Sequence, residues 1–163
     1  MANKIKVIGR AQNSAALGVV VAYLKLHPKT SLKGLRRVFP NNTAPDKGVD
    51  ELFLPLAEAE AVNKEHDMSL YFTKDGRTIE LSDGSEIALS QIWTAKSLDN
   101  IKSIAKKNGI DVEVDKSRDT AKCGYSIEGL GRRKKGGWLK KILWLLVLLI
   151  IAALVVVFFV VKK

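Results

Sequence analysis

The chain has 163 residues, one cysteine, two histidines and a formal net charge of +10. One cysteine excludes an internal disulfide, and with two dispersed histidines it does not form a zinc site recognisable by spacing. The positive charge is typical of proteins that bind nucleic acid or an anionic membrane, so its distribution along the chain matters.

The N-terminal part is predicted to be helical. Apolar residues recur at helical spacing over residues 17–24, with Ser14 as the predicted N-cap. The helix is expected to end at His27-Pro28, because a residue before proline avoids the α region. A second, short helix follows, capped by Thr30 or Ser31, and the pair has the outline of a helix-turn-helix.

The middle of the chain changes from helical to strand-like spacing. Residues 49–62 form a third predicted helix, although Pro55 lies within it. Two Asp-Gly turn signals then separate short alternating segments, which predicts an antiparallel meander with strands at 69–73, 78–81 and 86–90.

One further helix and one strand complete the predicted domain, residues 1–116. Ser97 is the predicted cap of the helix, Gly109 follows its end, and residues 110–114 form the strand. This order predicts an α+β fold class. Residues 117–137 contain five glycines and are predicted to form a flexible basic linker.

The C-terminal segment is predicted to anchor the protein in a membrane. Residues 142–161 are 20 consecutive apolar residues, and as a helix they would span about 30 Å, the thickness of a bilayer core. We therefore expect a single transmembrane helix within residues 138–163. Six basic residues precede this segment and two follow it, which predicts a single-pass inner-membrane protein with its N-terminal domain in the cytoplasm. The residues expected to contact anionic lipid head groups are Arg132, Arg133, Lys134, Lys135, Trp138, Lys140 and Lys141.

Most of the excess positive charge lies in this C-terminal region. Residues 132–163 hold eight basic and no acidic residues, so residues 1–131 carry a net charge of only +2. Within them, residues 1–49 carry +8 and residues 50–131 carry −6. This polarity is compatible with an acidic partner, with self-association into a homo-oligomer, or with an ordinary solvated surface.

The candidate binding site is the basic turn and second helix. Lys29, Lys33, Arg36 and Arg37 could meet the phosphates of nucleic acid or the carboxylates of an acidic protein. Reading of base edges is not expected, because this helix offers little beyond Ser31 for that purpose.

No catalytic site, metal site or cofactor is predicted. Asp111, Glu113 and Asp115 alternate and share one face of a strand, which is more typical of a solvated edge strand than of a Mg²⁺ site. Cys123 has no histidine near it in the sequence, and no nucleophile–base pair is recognisable. The chain is therefore predicted not to be an enzyme.

A spaced pattern of apolar, aromatic and turn residues extends over residues 14–114. It comprises Tyr23-Leu24, His27-Pro28, Ser31-Leu32, Leu35, Phe39-Pro40, Tyr71-Phe72, Ile79, Leu81, Asp83-Gly84, Ile87, Gln91-Ile92-Trp93, Asn100-Ile101, Ile104-Ala105 and Gly109. The pattern resembles a small uncharacterised α+β module of prokaryotes that is often fused to restriction or other phage-defence enzymes. The resemblance implies an accessory recognition or interaction module in defence. It does not imply a nuclease, because the neighbour here is the predicted membrane helix.

The leading hypothesis from the sequence is a non-enzymatic, C-terminally membrane-anchored cytosolic module that recognises nucleic acid or an acidic protein. The alternatives are a membrane-disrupting effector triggered through its soluble domain and a homo-oligomeric membrane scaffold. Residues 142–161 offer no polar side chain, which argues against a water-lined pore.

Overall fold

Helices and strands are intermixed along the chain, which confirms the predicted α+β character. The computed structural model describes residues 5–45, 48–74 and 76–130. The helices are α1 (Gln12–Leu26), α2 (Leu32–Val38), α3 (Leu56–Glu65) and α4 (Ala95–Lys107), with a 3-10 turn at Asn41–Thr43. The strands are β1 (Ile5–Gly9), β2 (Phe53–Pro55), β3 (Ile79–Glu80), β4 (Glu86–Leu89), β5 (Ile110–Val114) and β6 (Tyr125–Glu128).

The first sheet has the N-terminal strand at its centre. β1 pairs in parallel with β5 and antiparallel with β6, in the order β5-β1-β6. Only Lys6 of β1 is half-exposed, while Ile5, Val7, Ile8 and Gly9 are buried, so the second half of the strand is covered on both faces. Val7 lies opposite Val112 of β5 and Ile127 of β6, so an apolar row crosses the sheet.

Helix α1 packs directly on this sheet. A Cβ atom on Gly18 would lie 2.6 Å from Cγ1 of Val7 and 3.0 Å from the ring of Tyr125, so only glycine permits this close approach. The helix is apolar on nearly all sides and is buried throughout residues 14–20. Helix α4 packs beside it, with Ile101 turned inward.

The second sheet is antiparallel, in the order β2-β4-β3. β3 and β4 are joined through Asp83-Gly84, where Gly84 has a φ of +82° that glycine adopts without strain. This turn and its two flanking strands confirm part of the predicted meander.

The segment predicted as the first strand of the meander is held differently. Residues 69–73 form only an isolated bridge, between Tyr71 and Ser90. The N–H of Phe72 donates to the carbonyl oxygen of Leu89 at 2.9 Å, and the N–H of Gln91 donates to that of Leu70 at 2.8 Å, so the segment is bonded to the end of β4. The side-chain Oδ1 of Asn63 in α3 accepts from the N–H groups of Leu70 at 2.8 Å and Tyr71 at 2.9 Å. A strand end and a side chain therefore share the backbone groups of this segment.

Two predicted helix starts lie three residues too late. The N-cap of α1 is Ala11, and the Ser14 hydroxyl reaches back to the N–H and carbonyl of Ala11 at 3.0 Å. The N-cap of α4 is Thr94, whose hydroxyl accepts from the N–H of Ser97 at 3.2 Å. In both helices a serine with the chemistry of a cap lies in the first turn, three residues after the observed cap. The cap of α2, by contrast, is Ser31, one of the two residues predicted for it.

The predicted fold class is wrong in its helical beginning. The described chain starts with a strand, β1, at the centre of a sheet, and α1 packs on that sheet instead of standing in a free helix-turn-helix. The predicted helix at 49–62 is also wrong at its start, because Phe53–Pro55 is a strand. Pro55 stands before the first residue of α3, where its missing N–H costs no helical hydrogen bond. The range predicted as a flexible linker contains β6.

The last element of the predicted fold class, a single transmembrane helix, is corrected as well. None of the helices within the described ranges is long and apolar enough to cross a membrane. Residues 142–161, on which the prediction of a transmembrane helix depended, lie outside those ranges. The seven residues predicted to contact lipid, between Arg132 and Lys141, lie outside them as well. The predicted inner-membrane location stays a prediction.

Candidate functional site: a basic surface and a cationic cleft

Helix α2 is anchored by its apolar face. Leu35 and Phe39 are buried. The ring of Phe39 meets Tyr23 of α1 edge-on, with centroids 5.3 Å apart, and Phe53 of β2 at 6.5 Å. The Ser31 hydroxyl accepts from the N–H of Gly34 at 3.2 Å and caps the helix. These contacts fix which side of α2 faces the solvent.

Three of the four cations predicted to bind a partner are exposed on the solvent-facing side of α2 and the turn before it. Lys33 and Arg37 are four residues apart and share the outer face of α2, and Lys29 precedes them in the turn. Among the described residues none of the three forms an ion pair. Lys25, in the last turn of α1, is exposed as well. We call Lys25, Lys29, Lys33 and Arg37 the basic surface.

Arg36 has a different environment from its neighbour Arg37. Its Nη2 donates to the carbonyl oxygen of Phe53 at 2.8 Å and lies 3.4 Å from Oε2 of Glu51. Arg36 therefore joins α2 to the start of β2, and its charge is partly balanced by a carboxylate. The sequence groups Arg36 with Lys29, Lys33 and Arg37 as one candidate binding site. In the structure Arg36 is not part of the basic surface.

Two of the three alternating carboxylates at β5 and its end are engaged, one in an ion pair and one in local hydrogen bonds. Nζ of Lys6 on β1 lies 2.5 Å from Oε2 of Glu113, and this hydrogen-bonded pair raises the pKa of Lys6. Asp115 accepts from the N–H and hydroxyl of Ser117 at 2.9 and 2.6 Å, and these bonds lower the pKa of its carboxyl. Within the described ranges no group of three His, Cys, Asp or Glu residues is placed to hold a metal ion.

A second cationic feature lies at the other end of α1. A cleft of about 390 Å³ opens between the β1–α1 turn and residues 120–124, and Arg10, Arg77 and Lys122 line it. The N–H of Arg10 donates to the carbonyl oxygen of Gly124 at 3.0 Å, which holds the two walls together.

Cys123 lines the same cleft and is half-buried, with its thiol 3.5 Å from the carbonyl oxygen of Tyr125. Burial, aided by the neighbouring Cys123, raises the pKa of Tyr125 to about 12.

Sequence reasoning did not find this cleft. Arg10, Arg77 and Lys122 come from three distant segments, and no spacing rule connects them. Only the pairing of β6 with β1 brings residues 120–124 to the start of α1.

Comparison with protein-family models, with curated proteins and with solved structures finds no match for the chain. The resemblance to a defence-associated prokaryotic module therefore stays a prediction.

Proposed function

We propose that the domain is a non-enzymatic recognition module whose basic surface binds the phosphate backbone of nucleic acid. The observation that carries this proposal is the joint exposure of Lys29, Lys33 and Arg37 on a turn and helix fixed from below by Leu35 and Phe39. Lysine and arginine side chains held on a rigid support can contact successive phosphates without losing ordering entropy in the scaffold. The contacts expected are to phosphate and carry no sequence information.

An acidic protein is a second candidate partner for the same surface. Leu26 is 39 % exposed between Lys25 and the exposed His27-Pro28 turn. An exposed apolar residue among cations suits a protein interface, which combines apolar contact with charge pairing.

The test compares two charge-reversal variants of the full chain, kept in solution with a nonionic detergent because of the apolar residues 142–161. The first is Lys33→Glu with Arg37→Glu on the basic surface. The matched control is Lys96→Glu with Lys106→Glu on α4, two exposed positions with the same change in charge. Fluorescence anisotropy measures the binding of a labelled duplex DNA and a labelled RNA at several salt concentrations.

We expect the basic-surface variant to bind more weakly than the control and to show a smaller salt dependence. The slope of log K against log salt is negative, and the loss of two phosphate contacts should reduce its magnitude by about 2. The comparison of the variants is decisive, because the eight basic residues in 132–163 attract any polyanion. Equal weakening in both variants, or no binding at low salt, would overturn the proposal and favour the acidic protein partner.

A further inference from the structure

We propose that the cleft lined by Arg10, Arg77 and Lys122 binds a phosphate group carried as a monoester. This site is separate from the basic surface. Arg10 precedes α1 and Lys29 follows it, and a helix of 15 residues is about 22 Å long. A single phosphate cannot contact both places.

The charge of the cleft is of one sign. Its three cations converge from the β1–α1 turn, the loop before β3 and the loop before β6. No described acidic residue lines the cleft. Like charges in one concave site repel one another in the empty protein, and an anion of charge close to −2 relieves that repulsion.

Arg77 is oriented by its neighbours. Its guanidinium lies 5.5 Å from the centre of the Phe72 ring, and its Nη2 donates to the carbonyl oxygen of Lys122 at 3.4 Å. A guanidinium positioned in this way matches the oxygens of a phosphate with two parallel donors.

Two polar atoms of the lining are buried without a partner. Nε of Arg77 and Oγ1 of Thr120 are each inaccessible to solvent, and neither makes a hydrogen bond within the described structure. An unpaired buried donor is costly, and a ligand oxygen would satisfy it only after a movement of the side chain that exposes the donor to the cleft. The cleft is also large enough to admit part of the group that bears the phosphate.

The chain carries its own reporter for this site. Cys123 is its only cysteine and lines the cleft, so a bound phosphate should shield the thiol. The experiment measures the rate of Cys123 alkylation by iodoacetamide in the full chain as sodium phosphate is added at constant ionic strength. We expect the rate to fall at least fivefold and to reach a plateau. The melting temperature should rise over the same range of concentration, because the ligand binds the native state.

Charge-neutralising variants test whether the protection of Cys123 arises from phosphate bound in the cleft. Arg10→Gln with Lys122→Gln, both at exposed positions, should abolish protection, whereas Lys96→Gln with Lys106→Gln should preserve it. The basic-surface variant Lys33→Glu with Arg37→Glu should keep full protection, so a failure of the proposed function is distinguishable from a failure of this inference. Circular dichroism checks that each variant is folded.

The source of the phosphate is resolved by three further ligands. Protection by adenosine monophosphate at lower concentration than by inorganic phosphate identifies a free nucleotide. Protection by a 5′-phosphorylated dinucleotide, but not by its unphosphorylated counterpart, identifies the end of a nucleic acid strand. The inference is overturned if inorganic phosphate, adenosine monophosphate and the 5′-phosphorylated dinucleotide all fail to protect Cys123. It is also overturned if they protect the Arg10→Gln, Lys122→Gln variant as strongly as the native chain.

Discussion

Arg36 donates a hydrogen bond from Nη2 to the carbonyl oxygen of Phe53 over 2.8 Å, while the adjacent Arg37 points to solvent from the same short helix. Two arginines that are neighbours in sequence therefore have opposite roles. Arg36 holds α2 against β2, and through β2 against the second sheet. Arg37 belongs to the basic surface.

This contrast predicts different effects on stability. Arg36→Ala should lower the free energy of unfolding by about 1–2 kcal/mol, because it removes a charged hydrogen bond to a backbone carbonyl, discounted for the partial exposure of the ion pair with Glu51. Arg37→Ala should change it by less than about 0.5 kcal/mol, as is usual for a surface position. Urea unfolding followed by circular dichroism measures both, and equal losses would contradict the assignment of roles.

The close approach of α1 to the first sheet predicts that Gly18→Ala is destabilising. The added methyl group would meet Cγ1 of Val7 at 2.6 Å, and relieving this contact should cost about 1–3 kcal/mol. Gly34→Ala is the matched control, because its methyl group would meet only side-chain atoms, Cγ2 of Thr30 at 3.2 Å and Oγ of Ser31 at 3.6 Å, and alanine favours the helix. Gly34→Ala should leave the midpoint of urea unfolding unchanged or raise it. A harmless Gly18→Ala would argue against this packing of α1.

The buried phenol of Tyr71 predicts a loss of stability at alkaline pH. Burial, with Glu51 and Asp50 nearby, raises its pKa from 10.0 to about 12, and its hydroxyl donates to the carbonyl oxygen of Glu51 at 2.6 Å. Between these pH values the unfolded chain releases the proton and the folded chain retains it, so stability falls as pH rises through that window.

Tyr71→Phe tests this effect. Below pH 10 the variant should be about 1 kcal/mol less stable than the native chain, because the hydrogen bond to Glu51 is lost. Above pH 10 the difference should shrink, since phenylalanine does not ionise. The test measures the melting temperatures of both proteins from pH 8 to about 11.5. Parallel curves of melting temperature against pH would show that ionisation of Tyr71 does not cause the alkaline loss of stability.

Strand β6 predicts where the domain can be shortened. A chain that ends at Leu130 keeps the pairing of β6 with β1 and the packing of Tyr125 against α1. A chain that ends at residue 116 loses both and exposes the edge of β1 with its apolar row. We expect cooperative thermal unfolding for the first and aggregation or a non-cooperative transition for the second. Equal melting temperatures would show that β6 contributes nothing.

Local features of the fold could be predicted from the sequence. Ser31 caps α2, Asp83-Gly84 forms a turn, and residues 110–114 form a strand, because each depends on neighbours within a few residues. The capping residues of α1 and α4 were missed, since Ser14 and Ser97 have the same chemistry as a cap and stand one turn inside.

Long-range pairing could not be predicted in this way. β1 has only five residues, and β6 lies among glycines, so neither stands out alone. Each is a strand because the other is present, with β5 on the opposite edge of β1. Their hydrogen bonds join residues separated by more than a hundred positions, for which local spacing has no information.

The sequence by itself determined the α+β character, the presence of α2, the Asp83-Gly84 turn and the amount and distribution of charge. Only the tertiary structure decided which charges are available. In the folded chain Arg36 is hydrogen-bonded to β2, whereas Arg37 is exposed to solvent. Arg10, Arg77 and Lys122, which are distant in sequence, line one cleft. The physical reason is that helix caps and turns form between near neighbours, whereas the exposure of a side chain depends on which distant segments pack against it.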